Sequence, residues 1–354
     1  MDRLHIAFFG PVNSGKSTLV NAIAGQEVSL VSDIPGTTTD PVRKAVELPG
    51  LGACVLIDTA GLDDASELGP ERERRTRAIL DEADIIVMVC AAGNTECSSS
   101  ALLEKADVPI VRYNRGDSVA GLLQKISAAL PKEEERFLTG SLVKKGDCVL
   151  LVMPQDSEAP KGRLILPQVQ IIRELLDRGC NPICCTPDSL QSALGHAKPD
   201  LVITDSQVFA AVNAAIPPEM PLTSFSILLA AVKGDVRAYL GGAEAIGSLV
   251  PGSRILIAEA CTHVPNTEDI GRVKIPAMLR KRVGGDLKVD IAAGNDFPED
   301  LTPYSLIVQC GGCVATERLI RSRIRKASLA GVPITNYGIA LAYLTGILSR
   351  VVIP

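Results

Sequence analysis

A chain of 354 residues, 46% hydrophobic and 22% charged, is long enough for two or three globular domains. Its net charge of −5 offers no general attraction to nucleic acid or acidic lipid, and no apolar run approaches the ~18 residues needed to cross a bilayer. Aromatics make up 3% and tryptophan is absent, so the core must be Leu, Ile, Val and Ala, which suits parallel sheets covered by helices.

The first predicted strand, His5–Phe9, runs straight into Gly10-Pro11-Val12-Asn13-Ser14-Gly15-Lys16-Ser17. This is G-x-x-x-x-G-K-S between a strand and a helix predicted over Ser17–Ala24, the setting of a phosphate-binding loop. Gly10, Asn13, Ser14 and Gly15 are expected to wrap phosphates with backbone N–H groups. Lys16 reaches the β- and γ-phosphates, the Ser17 hydroxyl ligates Mg²⁺, and Thr18 continues the binding segment. The positive end of the helix favours the same anion. A chain entering a strand this early leaves no room for a secretory signal, so a cytoplasmic location is expected.

Gly36-Thr37-Thr38-Thr39-Asp40 follows as a Thr-rich loop, with Thr37 in the nucleotide site and the Thr38 hydroxyl completing the Mg²⁺ shell. Asp58-Thr59-Ala60-Gly61 comes after the predicted strand Ala53–Ile57. Asp58 is placed to hold the Mg²⁺ shell, and Gly61 brings a backbone N–H to the γ-phosphate. Lys16, Thr38 and Asp58 form the expected catalytic set. Asn114 and Asp117 follow the predicted strand Pro109–Tyr113 in the pattern Asn-x-x-Asp. An Asp there accepts hydrogen bonds from guanine N1–H and the 2-amino group, a pair adenine lacks. Arg115 occupies the position where Lys is usual. A helix over Ala120–Leu130 and the charge run Pro131–Arg136 close a first domain at 1–133.

Two further α/β domains are expected, 140–247 and 252–354. Strands are predicted at Cys148–Met153, Pro182–Thr186, Leu201–Thr204, Ile255–Ala258, Leu287–Ile291, Leu306–Val308 and Val332–Thr335, with a helix entered through Pro167. Short apolar runs alternating with helices imply parallel sheets throughout. Arg280–Arg282 and Arg321–Lys326 read as solvated helix faces.

Ten cysteines in a cytoplasmic chain point to thiol, metal or cluster chemistry rather than disulfides. Cys261-Thr262-His263 follows one predicted strand and Cys310-Gly311-Gly312-Cys313 another. Parallel strands put both loops at one sheet edge, where open α/β sheets place ligands. Three thiolates meeting there suit a 4Fe-4S cluster with one open iron, which His263 or Glu268 could occupy weakly. Cys-x-His with Cys-x-x-Cys equally makes a structural zinc set, and reduced core cysteines are a third reading. Cys180, Cys184 and Cys185 bracket a strand predicted to be buried, and Cys54, Cys90 and Cys148 sit in apolar strands.

The first domain resembles GTPases of the TrmE/Era branch. Asn13 and the Gly-Thr-Thr loop resemble the potassium-dependent members, which implies K⁺ held through Asn13. Leu62 stands where Ras-like proteins place Gln, so slow hydrolysis is implied. That class continues past Asp117 with roughly 30 more residues, one strand–helix unit, that are absent here. A phosphate-loop GTPase joined to Cys-Thr-His and Cys-Gly-Gly-Cys resembles the FeFe-hydrogenase maturation GTPase family, HydF. The likeness extends to Ala159–Ile165, Leu201–Gln207, Thr267–Pro276 and Thr335–Gly338. It implies GTPase, dimerisation and cluster-binding domains in a homodimer, with Cys261, Cys310 and Cys313 as cluster ligands. It further implies a scaffold that receives a two-iron precursor from radical SAM maturation enzymes and delivers it to apo FeFe-hydrogenase, with no nucleic-acid or membrane partner. The family's usual His before the second Cys pair is Gln309 here, so the fourth iron site takes another group or solvent.

Overall fold

The computed structural model describes residues 3–25, 41–59, 69–90, 103, 108–131, 136–155, 162–260, 269–294 and 296–354. The chain divides into two compact units, Met1–Glu134 and Glu135–Pro354.

In the first unit the elements are β1 (Leu4–Phe9), α1 (Lys16–Ala24), β2 (Val42–Leu48), β3 (Gly52–Asp58), α2 (Gly69–Glu82), β4 (Ile85–Cys90), β5 (Ile110–Asn114) and α3 (Val119–Ala129). Strand order is β2-β3-β1-β4-β5. Alternate residues of the central strands feed two cores. Ile6, Phe8, Leu56 and Val87 pack with Leu19, Leu122 and Ile126, while Ala7, Phe9, Ile57 and Met88 pack with Ile79 and Leu80.

Parallel pairing holds for β1, β3, β4 and β5. The expectation of parallel sheets throughout fails at β2, which runs antiparallel to β3. Its cause is local: the connection from Leu48 to Gly52 is a tight turn with Gly50 at φ 78°, and so short a link permits only an antiparallel return. The regular alternation of exposure along β2 is the mark of such an edge strand. After β5 the chain enters α3 at once, Ser118 capping it by accepting the Gly121 N–H at 3.1 Å. The short first domain read from the sequence is thus a five-stranded sheet with β5 at its edge among the described residues.

The second unit holds β6 (Cys148–Val152), α4 (Leu166–Asp177), β7 (Asn181–Cys185), α5 (Leu190–His196), β8 (Leu201–Thr204), α6 (Phe209–Ala215), β9 (Leu222–Ser224), α7 (Phe225–Lys233) and α8 (Val236–Glu244). It continues with β10 (Arg254–Ala258), α9 (Ile275–Val283), β11 (Lys288–Ala292), β12 (Leu306–Gln309), α10 (Glu317–Leu329), β13 (Ile334–Asn336) and α11 (Tyr337–Leu344). Two four-stranded sheets result, β7-β6-β8-β9 and β11-β10-β12-β13, all pairs parallel.

The two sheets share one apolar core, to which Leu150 and Val202 come from the first and Leu256 and Ile307 from the second. Helix α7 forms the wall between layers: Ile227 and Ala230 enter the shared core, while Phe225 and Leu228 pack with Val149, Leu151 and Ile203. Helix α8 lies on β13, since a Cβ on Gly242 would sit 2.0 Å from the Ile334 carbonyl oxygen.

The entry to this unit is clamped. Glu174 accepts the N–H groups of Leu138 and Thr139 at 2.6 and 2.9 Å, and Arg178 donates to the Gly140 and Val143 carbonyls while stacking on Phe137. The last residues return to the same place: Val352 N–H donates to the Leu222 carbonyl at 2.9 Å, and Pro354 lies against Gly140.

Three sequence expectations are corrected here. The cysteines are expected to avoid disulfides, yet Cys90 at the end of β4 is disulfide-bonded. β7 is an edge strand, so Cys184 is exposed rather than buried, although Cys180 beside it is buried. Arg323, in the stretch read as a solvated face, is 1% exposed. No described helix is long and apolar enough to cross a membrane.

Candidate nucleotide and cluster sites

The phosphate loop leaves β1 at Gly10, packed so tightly on β4 that a Cβ there would lie 2.3 Å from the Val89 carbonyl oxygen. Asn13 adopts φ 60° and Gly15 φ 91°, the left-handed turns that curl backbone N–H groups inward ahead of α1. Lys16 is buried, its Nζ donating to the carbonyls of Gly10 (3.1 Å) and Pro11 (2.8 Å). Ser14 is buried with its hydroxyl oxygen unpartnered, Ser17 is half-buried and Thr18 exposed.

Asp58 ends β3 opposite Phe8 of β1. It is fully buried, and neither carboxylate oxygen has a hydrogen-bond partner. Thr59 next to it is anchored by its hydroxyl donating to the Phe8 carbonyl at 2.7 Å. A buried, unsatisfied carboxylate at a strand end, on the sheet that carries a phosphate loop, fits a site for a hard cation and its water shell. Thr37, Thr38, Gly61 and Leu62 lie outside the described residues.

Asn114 ends β5, paired with Cys90 of β4. Asp117 accepts the Asn114 N–H at 3.3 Å and the Lys125 ammonium at 3.1 Å. The Lys125 ammonium and the Asn114 N–H together hold the Asp117 carboxyl below the usual carboxylate range. Tyr113 donates its hydroxyl proton to the Asp117 carbonyl at 3.0 Å and fixes the turn. The structure therefore brings Asn114 and Asp117 together in one turn at the edge of the first sheet.

At the second site, β10 and β12 pair with Ala258 opposite Gln309, so the segments after both strands leave the same sheet edge. Cys261, His263 and Glu268 lie outside the described residues, and among the described residues no group of three potential metal ligands gathers. Cys310 and Cys313 are both half-buried. The Cys310 Sγ accepts the Ala260 N–H at 3.0 Å, which ties the β12 loop to the exit of β10. Burial pushes the Cys310 thiol up; the Gly312 and Ala260 N–H groups act against that by favouring the thiolate. Gly312 has φ 64°, and its Cα faces Ile320 so closely that a Cβ would sit 2.6 Å from Cδ1. The loop after β12 thus presents thiols and N–H donors, a set that fits an iron–sulfur cluster. Gln309 points elsewhere, its Nε2 donating to the buried Tyr239 hydroxyl at 2.9 Å.

Three features here have no motif in the sequence. Glu259, one residue past β10, is gripped by Arg272, with Nε–Oε1 2.9 Å and Nη2–Oε2 2.6 Å. A single π-helical turn, Ile270–Lys274, capped by Asp269, positions that arginine. Arg323 donates to the Glu259 and Gly294 carbonyls and stacks over Phe297. Lys233 donates to three carbonyls of the Cys310 loop. Such long-range partners are invisible to spacing rules.

Comparison with known families matches three successive stretches of the chain. A model described as 50S ribosome-binding GTPase matches residues 5–115, one for the hydrogen maturase F dimerization domain matches 138–234, and one for the hydrogen maturase F tetramerization domain matches 237–354. The tRNA modification GTPase MnmE of Xanthomonas oryzae pv. oryzae is 42% identical over 108 residues, 30% of this chain and 24% of the relative. That of Alkalilimnicola ehrlichii is 36% identical over 118 residues, 33% of this chain and 26% of the relative. The chain thus spans about a quarter of the length of these curated relatives. Among solved structures, Aquifex aeolicus Era bound to GDP.AlF4- overlaps 52% of this chain and 93% of its own, with 17% identity and a TM-score of 0.29.

Proposed function

Because the chain belongs to the hydrogen maturase F family, with a TrmE/Era-type GTPase domain ahead of that family's two other domains, we propose that it is a GTP-dependent scaffold for FeFe-hydrogenase maturation. In this reading it binds GTP or GDP with Mg²⁺, carries a 4Fe-4S cluster, and passes a two-iron precursor from radical SAM enzymes to apo-hydrogenase. It works in the cytoplasm as a homo-oligomer. The observation that carries the proposal is the union, on one chain, of a phosphate loop and a Cys-Gly-Gly-Cys loop beyond β12 whose sulfur already accepts backbone N–H groups.

In the first unit Lys16 and the loop N–H groups would hold the phosphates, Ser17 and Asp58 would hold Mg²⁺, and Asp117 would read guanine. Thr38 would add a ligand with triphosphate bound, and Asn13 would hold K⁺. Lys16 exchanges its two loop carbonyls for phosphate oxygens, which ties loop shape to occupancy. In the second unit Cys261, Cys310 and Cys313 would hold the cluster, which supplies an iron corner open to exchange. The chain's own part is to keep those thiolates on one rim and shield them. Nucleotide state biases partner binding through the segments after α1 and β3.

Anaerobic iron and sulfide reconstitution of wild type beside Cys310→Ser tests this. Iron uptake with an EPR signal on reduction, lost or cut to a fraction in the variant, is expected. Equal iron in both overturns the ligand assignment, and tight zinc with no iron uptake favours a zinc site. Partner affinity should differ between GDP and a non-hydrolysable GTP analogue; equal affinities remove the switch. The tRNA modification GTPases among the relatives favour a second reading, an RNA-linked GTPase. The net charge of −5 weighs against it, and a salt-dependent RNA shift assay decides.

A further inference from the structure

Helix α7 reaches the Cys310 loop from the preceding α/β layer at both of its ends. Near its start, Ser226 lies under Gly311, where a Cβ would meet its hydroxyl oxygen at 3.4 Å, and Asn336 donates to the Ser226 carbonyl and hydroxyl oxygens at 3.1 Å. At its end, Lys233 is 3% exposed, and its Nζ donates to the carbonyls of Gly312 (3.0 Å), Cys313 (3.4 Å) and Ala315 (2.9 Å). Three carbonyls of one short loop thus accept from a single ammonium, which has three protons to give. The loop is further pressed between α7 and Ile320 of α10.

Burying an ammonium is costly, and apolar helix-end residues would fill the same space without that cost. The sequence instead places the positive charge beneath the segment that carries Cys310 and Cys313. We infer that Lys233 is a positioning residue for the cluster loop: it tethers the Cys-Gly-Gly-Cys backbone and supplies a fixed positive charge that favours the reduced state of a cluster held there.

The second half of this inference rests on the cluster reading; the first does not. With three thiolate ligands a 4Fe-4S core in its oxidised state carries a net charge of −1, and one added electron makes it −2 with no proton taken up. A buried cation close by stabilises the second state more than the first, which raises the reduction potential, because net charge and hydrogen bonding around the sulfurs set it. The same tether restricts the loop when no cluster is bound.

Three variants separate charge from tether. Lys233→Met removes both, Lys233→Gln keeps two N–H donors without the charge, and Lys233→Arg keeps both. Two measurements are made on the full chain: the alkylation rate of Cys310 and Cys313 by iodoacetamide in the metal-free protein, followed by mass spectrometry, and an EPR-monitored dithionite titration after reconstitution. Lys233→Met should raise alkylation at least fivefold. Both Lys233→Met and Lys233→Gln should lower the reduced-to-oxidised ratio at a fixed poise about tenfold, which is about 59 mV for one electron. Lys233→Gln should alkylate within twofold of wild type, and Lys233→Arg should match wild type in the titration. If Lys233→Met fails to fold, the glutamine and arginine variants alone decide the charge. Unchanged potentials in loaded Lys233→Gln overturn the electrostatic role, and unchanged alkylation in folded Lys233→Met overturns the tether. If wild type takes up no cluster, the cluster reading and the electrostatic role fall together, while alkylation still judges the tether.

Discussion

Arg272 meets Glu259 edge to edge, through Nε and Nη2 on one side and both carboxylate oxygens on the other, and the Glu259 side chain is only 2% exposed. A bidentate pair of this kind fixes geometry as well as charge. It joins the exit of β10, just ahead of Cys261, to the π-helical turn before α9.

Removing one partner leaves a buried charge alone. Arg272→Met should destabilise the second unit by about 3 kcal/mol. The double variant with Glu259→Gln should recover at least half of that loss, read as urea midpoints. Additive effects in the two single variants would show that the pair is not coupled.

Asp58 predicts opposite effects on stability and binding. Its oxygens are buried without partners, so Asp58→Asn should stabilise the nucleotide-free protein by about 1–2 kcal/mol. The same change should cut Mg²⁺-dependent GTP binding at least tenfold. Thermal melts with and without Mg²⁺, beside calorimetric titration with GTP, test both halves. A nucleotide-free melting temperature equal to wild type contradicts the first.

In the proposed reading Asp117 accepts hydrogen bonds from guanine, and Asp117→Asn puts there an amide that also donates. Affinity for GTP should fall about 100-fold, on the order of 2–3 kcal/mol, while xanthosine triphosphate, with a carbonyl in place of the 2-amino group, should bind better than in wild type. Fluorescent-nucleotide competition distinguishes this from a general loss of binding. The Lys125 contact to Asp117 is half-exposed and should matter little: Lys125→Ala should change GTP affinity less than threefold.

Gly10→Ala should be far worse than its size suggests. The new methyl would sit 2.3 Å from the Val89 carbonyl oxygen, and backbone on both sides cannot yield cheaply. A loss of about 2–3 kcal/mol and of nucleotide binding is expected. Gly50→Ala, with open space around it, serves as the comparison: it keeps nucleotide binding and pays only for its left-handed φ of 78°.

Cys54 carries a pH signature. Burial, with a smaller push from Glu47, raises its thiol to about 11 from 9.0. Between those values the unfolded chain loses a proton that the folded chain keeps, so this residue's contribution to stability falls as pH rises from 9 toward 11. Cys54→Ala should flatten that part of the stability curve, measured as melting temperature against pH. In alkylation at pH 8, Cys184 should react well before Cys54, since one is exposed and the other buried.

How much of this was legible in the sequence follows from the range of the interactions. The phosphate loop, Asp58, and the Asn114–Asp117 turn are set by local spacing, and so were strands such as Leu201–Thr204, found at the predicted residues. β9, three residues leading directly into α7, carries no strand signal distinct from the apolar helix that follows. β2 escaped because its half-exposed alternation differs from the fully apolar runs of its parallel neighbours. The buried state of Arg323 and Lys233 was unreadable for another reason: each is satisfied by carbonyls distant in sequence, and composition alone marks them as surface residues.

Gly140 and Pro354 touch across more than two hundred positions of chain, beside a clamp built on Glu174 and Arg178. Mechanically this resembles a loop of rope whose ends are tied in one knot. Force applied at either end loads both sheets together, so neither layer can peel off while the other stays intact. Held between optical traps at residues 138 and 354, the unit should give way in a single rip rather than two.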